Sequence, residues 1–184
     1  CSPWARPPSV SLYGLREGQT VRGEVELAPA ATHGDQVIGF ALYVDGVRVA
    51  AIKPGEKHTL DTTELGDGHH ELRVVAAAGE LAWQGRMIVP FTVDNGGAKL
   101  DASLASSAYA TLTEKIRIRV ALENGTSIEV RHNGRVVANV EGARGTAEVD
   151  ARVLGGGKAR LQVVGKTGDG DEVRGEVLEV TVVD

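Results

Sequence analysis

The side chains best suited to acid–base or metal chemistry gather most densely at Asp67-Gly68-His69-His70-Glu71. Imidazole and carboxylate are common ligands of zinc-type ions. The spacing works against a shared ion, because adjacent residues on a strand point to opposite faces and His69 and His70 cannot easily meet at one metal. The Asp-Gly pair is a turn signal in its own right. The matching stretch later in the chain, Gly155-Gly156-Gly157-Lys158, makes a turn there without any histidine. That glycine run is also wrongly spaced for a phosphate loop, and no helix follows to offer amide N–H groups. Thr167-Gly168-Asp169-Gly170-Asp171, followed by Glu172, has oxygen ligands suited to calcium but is too short for an EF-hand loop. A turn between two strands accounts for it. Asp61 and Asp150 occupy equivalent places in two halves of the chain, too far apart in sequence organisation to act as one acid–base pair. Both read as turn-forming aspartates that accept backbone hydrogen bonds. The expectation is no metal site, no cofactor and no catalytic residue.

Binding chemistry leaves fainter marks. Lys115, Arg117 and Arg119 form an outward basic row on one strand, able to attract an acidic polymer. Glu129 on the next strand is the expected counter-charge. Aromatic residues make up only 4% of the chain. Trp83, in the loop before the last strand of the first half, and outward-facing Tyr43 are the candidate ligand contacts. Trp4 is expected to pack against whatever precedes or abuts the domain. No Ser/His/Asp or Cys/His set stands at a usable spacing, so the chain is not expected to be an enzyme.

The elements that must carry these residues are strands. Val21, Gly23, Val25 and Leu27 alternate with Arg22, Glu24 and Glu26, and Ile116, Ile118, Val120 and Leu122 alternate with Lys115, Arg117 and Arg119. A period of two is the mark of half-buried antiparallel sheet. Further inward sets are Ile38, Phe40, Leu42 and Val44; Leu72, Val74 and Ala76; Met87, Val89, Phe91 and Val93. Of these, Ile38, Phe40, Leu42, Val74 and Phe91 are expected to share one core. No convincing helical stripe is present, and the Ala- and Ser-rich stretch 102–113 reads as edge strand and loop.

The chain has 184 residues, with 24 glycines, one cysteine and a net charge of −5 from 20 basic and 25 acidic residues. That balance opposes a general nucleic-acid surface, which needs clustered positive charge. No apolar run reaches the roughly 18 residues of a membrane span. A single cysteine excludes an intrachain disulfide. Cys1 reads either as the lipid-bearing first residue of a mature bacterial lipoprotein or as a point where a longer chain was cut. The start of folded sequence by Ser9, leaving almost no tether, favours the cut.

The length accommodates two small domains, and an internal repeat supports that division. Val44-Asp45-Gly46-Val47 is echoed by His132-Asn133-Gly134-Arg135, both signals for a type I′ hairpin. From Asp61 onward, Asp61 and Asp150, Leu72 and Leu161, Gly79 and Gly168, and Phe91 and Val180 all stand 89 positions apart. The boundary is placed at Asn95-Gly96-Gly97, giving domains of residues 1–95 and 96–184.

Within the first half, Gly18-Gln19-Thr20-Val21-Arg22-Gly23-Glu24-Val25, then Val44-Asp45-Gly46, Leu60-Asp61-Thr62-Thr63 and Leu65-Gly66-Asp67-Gly68-His69-His70-Glu71-Leu72-Arg73-Val74 occur in order. This series resembles the bacterial immunoglobulin-like domains of exported and surface-associated multidomain proteins. The likeness covers most of residues 9–95. Ala76-Ala77-Ala78-Gly79 departs from the A-x-D usual in that family, and the second half joins the likeness only through the internal repeat. The resemblance implies two tandem immunoglobulin-like β-sandwiches with a spacer, adhesion or accessory role and no catalytic residues. The functional expectation is a non-catalytic accessory or interaction region of a larger bacterial exported or cell-surface protein, with a carbohydrate-binding or adhesion module as the alternative. Its partner would be a protein or a cell-surface polymer, together with an upstream domain of the same polypeptide. Any site would lie on loops, on an outer sheet face or at the junction of the domains.

Overall fold

A computed structural model describes residues 8–32, 37–78 and 84–184. The fold is all-β, and the chain divides into two compact units. The first holds the residues up to Leu65 and His70–Asn95; the second holds Gly66–His69 and Gly96–Asp184.

The first unit is a sandwich of two sheets. Strands β1 (Val10–Tyr13), β3 (Glu24–Ala31) and β6 (His58–Asp61) form one sheet in the order β1-β3-β6. The other runs β5-β4-β7-β8-β2, from β5 (Val47–Ile52), β4 (Val37–Val44), β7 (Gly68–Ala78), β8 (Gln84–Val93) and β2 (Thr20–Val21). The chain must change sheets between β1 and β2. It does so at Gly14, whose φ is +99° and where a side chain would collide with the Glu26 carbonyl oxygen, so only glycine fits. Leu27, Leu42, Leu72, Val74, Val89 and Phe91 are fully buried between the sheets.

The second unit repeats this strand order. Strands β9 (Leu100–Leu104), β11 (Lys115–Leu122) and β14 (Arg144–Asp150) pair as β14-β11-β9. Strands β10 (Tyr109–Thr111), β12 (Gly125–His132), β13 (Arg135–Glu141), β15 (Gly157–Thr167) and β16 (Glu172–Val183) pair as β13-β12-β15-β16-β10. Ile116, Ile118, Leu122, Ile128 and Leu161 fill this core. The stretch 102–113 contributes the edge strand β9 and the short β10, as the sequence suggests.

One inward assignment fails. Phe40, Leu42, Val74 and Phe91 share a core, but Ile38 is 64% exposed and Val37, at 5%, takes the inward place. The register explains this. Val37 opposes Ala78 and Gly39 opposes Ala77, so Ile38 is the extra residue of a β-bulge. A bulge breaks the two-residue period, and alternation carried back through it comes out on the wrong face. The second unit has a register shift at the same place, between Gly125 and Ser127.

Both tight hairpins form as read. Asp45 and Gly46 have φ of 51° and 83°, and Asn133 and Gly134 have 50° and 77°. Two consecutive positive φ values are the requirement of a type I′ turn, whose twist matches that of the strands it joins.

Candidate functional site

The Asp67–Glu71 cluster is dispersed by the strand that carries it. In the second unit, Asp67 is nearly buried, and its Oδ2 accepts hydrogen bonds from the backbone N–H groups of Gly96 (2.8 Å) and Ala98 (3.2 Å). The Asp67 carbonyl accepts from Arg174 N at 2.8 Å. Gly68 has φ +108° and lies so close to the Arg174 carbonyl that no side chain fits. In the first unit, His70 is 2% exposed and sits against Phe91, with ring centroids 5.8 Å apart. Its Nδ1 lies 2.6 Å from Asp45 Oδ2, and Asp45 Oδ1 accepts from Glu71 N at 3.0 Å. Sequence reasoning treated Asp45 only as a turn residue and missed this pairing. The signal was the hairpin itself, which brings the start of β7 beside the β4–β5 turn: Asp45 N donates to the Glu71 carbonyl. Among the described residues, no three His, Cys, Asp or Glu side chains form a potential metal site.

The two repeat aspartates are caps. Asp61 Oδ1 accepts from Thr63 N (2.9 Å) and from the Thr63 hydroxyl, opening a 3-10 turn at Thr62–Glu64. The Thr63 hydroxyl, and after it the Thr63 amide, hold the Asp61 carboxyl below the usual carboxylate range, because hydrogen bonds to the ionised form favour it. Asp150 Oδ1 accepts from Arg152 N at 3.1 Å at the head of the matching turn, Ala151–Val153.

Most of the remaining charged side chains have local partners, although Arg119 of the basic row has none among the described residues. The Thr167–Asp171 loop closes on itself: Thr167 N donates to the Asp171 carbonyl and Gly170 N to the Thr167 carbonyl, each at 2.9 Å. Glu172 faces Arg131 and Arg174, each 3.7 Å away. Lys158 lies 3.9 Å from Glu179. For the basic row, the counter-charge is Glu148, 3.4 Å from Lys115 and 3.6 Å from Arg117, and not Glu129. The row lies on β11, whose neighbours are β14 and β9. Glu129 lies on β12 in the opposite sheet, where it holds Arg131 at 2.8 Å.

Of the two aromatic candidates, Trp83 lies outside the described residues, as does Trp4. Tyr43 stands on the outer face of the five-stranded sheet of the first unit, half-buried, with the inward Leu42 and Val44 on either side. Directly across from it are Arg48 on β5 and Arg73 on β7. Directly opposed residues share a face, and Arg73 is flanked by the fully buried Leu72 and Val74, so the three side chains form one outward row. The next outward row, Ala51, Ala41 and Val75, is low and apolar. Arg48 and Arg73 were not singled out from sequence, because cross-strand neighbours are set by register.

No protein-family model matches the chain, and no curated protein does. Solved structures with a similar course include the fibronectin(III)-like modules of Clostridium thermocellum CbhA, at 14% identity over 94% of this chain and 93% of that one, with a TM-score of 0.42. The mixed-linkage glucan utilisation locus protein SGBP-B of Bacteroides ovatus, solved with a mixed-linkage heptasaccharide, aligns at 12% identity over 98% of this chain and 48% of its own, with a TM-score of 0.47. A chimeric titin Z1Z2 tandem aligns at 11% identity over 97% and 100% of the two chains, with a TM-score of 0.43. The sheets themselves define the architecture as all-β, with two paired sheets in each unit.

Proposed function

We propose that this chain is a non-catalytic accessory and interaction region of a larger bacterial exported or cell-surface protein. One observation carries the reading: the buried polar groups are spent on structure. Among the described residues, the buried polar side chains are Thr62, Asp67 and His70, each bonded to backbone or to another side chain. No buried side-chain nitrogen or oxygen there lacks a hydrogen-bond partner. A catalytic acid or base needs a lone pair or proton directed at substrate, whereas these groups are directed into the fold. Both sandwiches fill their interiors with strand side chains, so binding is a matter of outer faces and loops. No helix among the described residues is long and apolar enough to cross a membrane. In this reading the partner is a protein or a cell-surface polymer, the chain works outside the cytoplasm, and an upstream domain of the same polypeptide supplies any catalysis.

The test is turnover. Incubation of residues 1–184 with panels of glycoside, ester and peptide substrates is expected to give no product above the uncatalysed rate. Turnover that disappears in Asp67→Asn or His70→Gln would overturn the reading. The alternative, a carbohydrate-binding module, draws on the outward row around Tyr43.

A further inference from the structure

We infer that the outer face of the first unit's five-stranded sheet binds an acidic polysaccharide, a chain of uronate sugars, across the row Arg48–Tyr43–Arg73. The inference rests on the non-catalytic reading and deepens it. The register places the three residues on adjacent strands β5, β4 and β7. With neighbouring strands about 4.8 Å apart, the two arginines stand about 10 Å from each other with the tyrosine between them.

Charge separates this row from its counterpart in the second unit. Among the described residues, neither the Arg48 nor the Arg73 guanidinium has an ion-pair or hydrogen-bond partner. The same row in the second unit is Val136–Arg131–Gln162. There the single arginine is neutralised, with Arg131 bonded to Glu129 through Nε (3.1 Å) and Nη2 (2.8 Å) and facing Glu172 at 3.7 Å. Where the second unit satisfies its cation internally, the first presents two cations outward, in a chain whose net charge is −5.

Shape selects the occupant. A guanidinium fork matches a carboxylate with two parallel N–H···O bonds. A tyrosine ring offers a broad, rigid apolar surface with a polar tip. The adjoining Ala51–Ala41–Val75 row adds a floor without protruding side chains. A pyranose uronate presents an apolar C–H face and a carboxylate at its edge, which meet the floor and the arginines respectively. An acidic polypeptide has no comparable flat face, and it would pair more readily with the open edge of β5 by adding a strand.

Native affinity electrophoresis in gels containing polygalacturonate tests this, with gels of hydroxyethylcellulose and of polyglutamate run beside them. The expected result is retardation by polygalacturonate alone, weakening as salt is raised. Arg48→Gln and Arg73→Gln should each weaken it by about tenfold, the scale of one charge-assisted contact. Tyr43→Ala should weaken it and Tyr43→Phe should retain it, while Arg131→Gln in the second unit should change nothing. All of these side chains point outward, and unchanged thermal melting would verify that the variants remain folded. Three results would each overturn the assignment: no retardation by polygalacturonate, equal retardation by polyglutamate, or equal weakening by Arg131→Gln. None of the three touches the non-catalytic reading, which only turnover removes.

Discussion

In the first unit the residue after the capping aspartate is Thr62; in the second it is Ala151, and both are fully buried. The surrounding backbone is the same in kind. Thr62 N donates to the Gly23 carbonyl at 3.0 Å, and Ala151 N to the Glu114 carbonyl at 3.1 Å. The Thr62 hydroxyl adds a 2.6 Å bond to Gly23 O, and Asn95 completes the arrangement by donating to Thr62 O (3.0 Å) and accepting from Gly23 N (2.8 Å). The second unit has a methyl group there and ends in the exposed Asp184 at the position of Asn95. The same contrast recurs at the hairpin. His70 with Asp45 in one unit corresponds to buried Ala159 with Asn133 in the other. At both places the polar group buried in the first unit is an alanine in the second, so the partner position has no buried polar group to satisfy. That follows from the cost of a buried group left unsatisfied, which exceeds the net gain of a bond made. On the outer face the contrast reverses direction: the second unit pairs its arginine, and the first leaves two arginines for solvent or a ligand.

The largest test of this contrast lies in the cores. Phe91→Ala removes a fully buried ring that His70 packs against and should cost about 3–5 kcal/mol in urea unfolding. The counterpart, Val180→Ala, should cost clearly less, because fewer atoms are removed. Equal losses would mean that the first unit does not depend on its aromatic cluster.

Next in size is the dyad. His70→Ala leaves Asp45 without its ring partner and should cost about 1–3 kcal/mol. Asp45→Asn added to it recreates the pair found in the second unit, Asn133 and Ala159. The double variant should recover part of the loss. A double variant that loses the sum of both changes would break the claim that the partners act as a unit.

Thr62→Ala tests the neighbouring lock more gently. It removes one hydroxyl donor while the backbone bond to Gly23 remains, and about 1 kcal/mol is expected. Asn95→Ala should cost less in the Thr62→Ala background than alone, since the two share partners. Strict additivity, measured by the same unfolding cycle, would argue against a network.

The smallest effect is in acid. The folded Asp61 carboxyl titrates below its ordinary range, so below the unfolded value of about 4. Its hydrogen bonds therefore stabilise the fold above that pH, and the contribution is lost as pH falls through the folded value. The stability difference between the natural chain and Asp61→Asn should shrink on acidification through this window. Thr63→Val, which removes the leading cause of the shift, should reduce the difference in the same way. A difference that does not vary with pH would remove Thr63 from the account.

Much of this molecule was legible from sequence because strands expose their pattern residue by residue. Alternation identified Phe40, Leu42, Val74, Ile116 and Leu161 as inward, Asp-Gly and Asn-Gly identified both hairpins, and the repeated aspartates were correctly read as turn residues. Each of these depends on the residue itself or on near neighbours. What only the tertiary structure decided is register and pairing. The bulge at Ile38 inserts a residue without altering the local hydrophobic pattern, so nothing near Val37 announced which of the two would face inward. The expected partner of the basic row was Glu129 on the next strand in sequence, and the pairing of β11 with β14 put Glu148 there instead. His70 found Asp45, and Tyr43 found Arg48 and Arg73, across strands up to 30 residues apart in sequence. Such neighbours are fixed by the sum of the cross-strand hydrogen bonds and the packing of two sheets, a property no short window of residues carries.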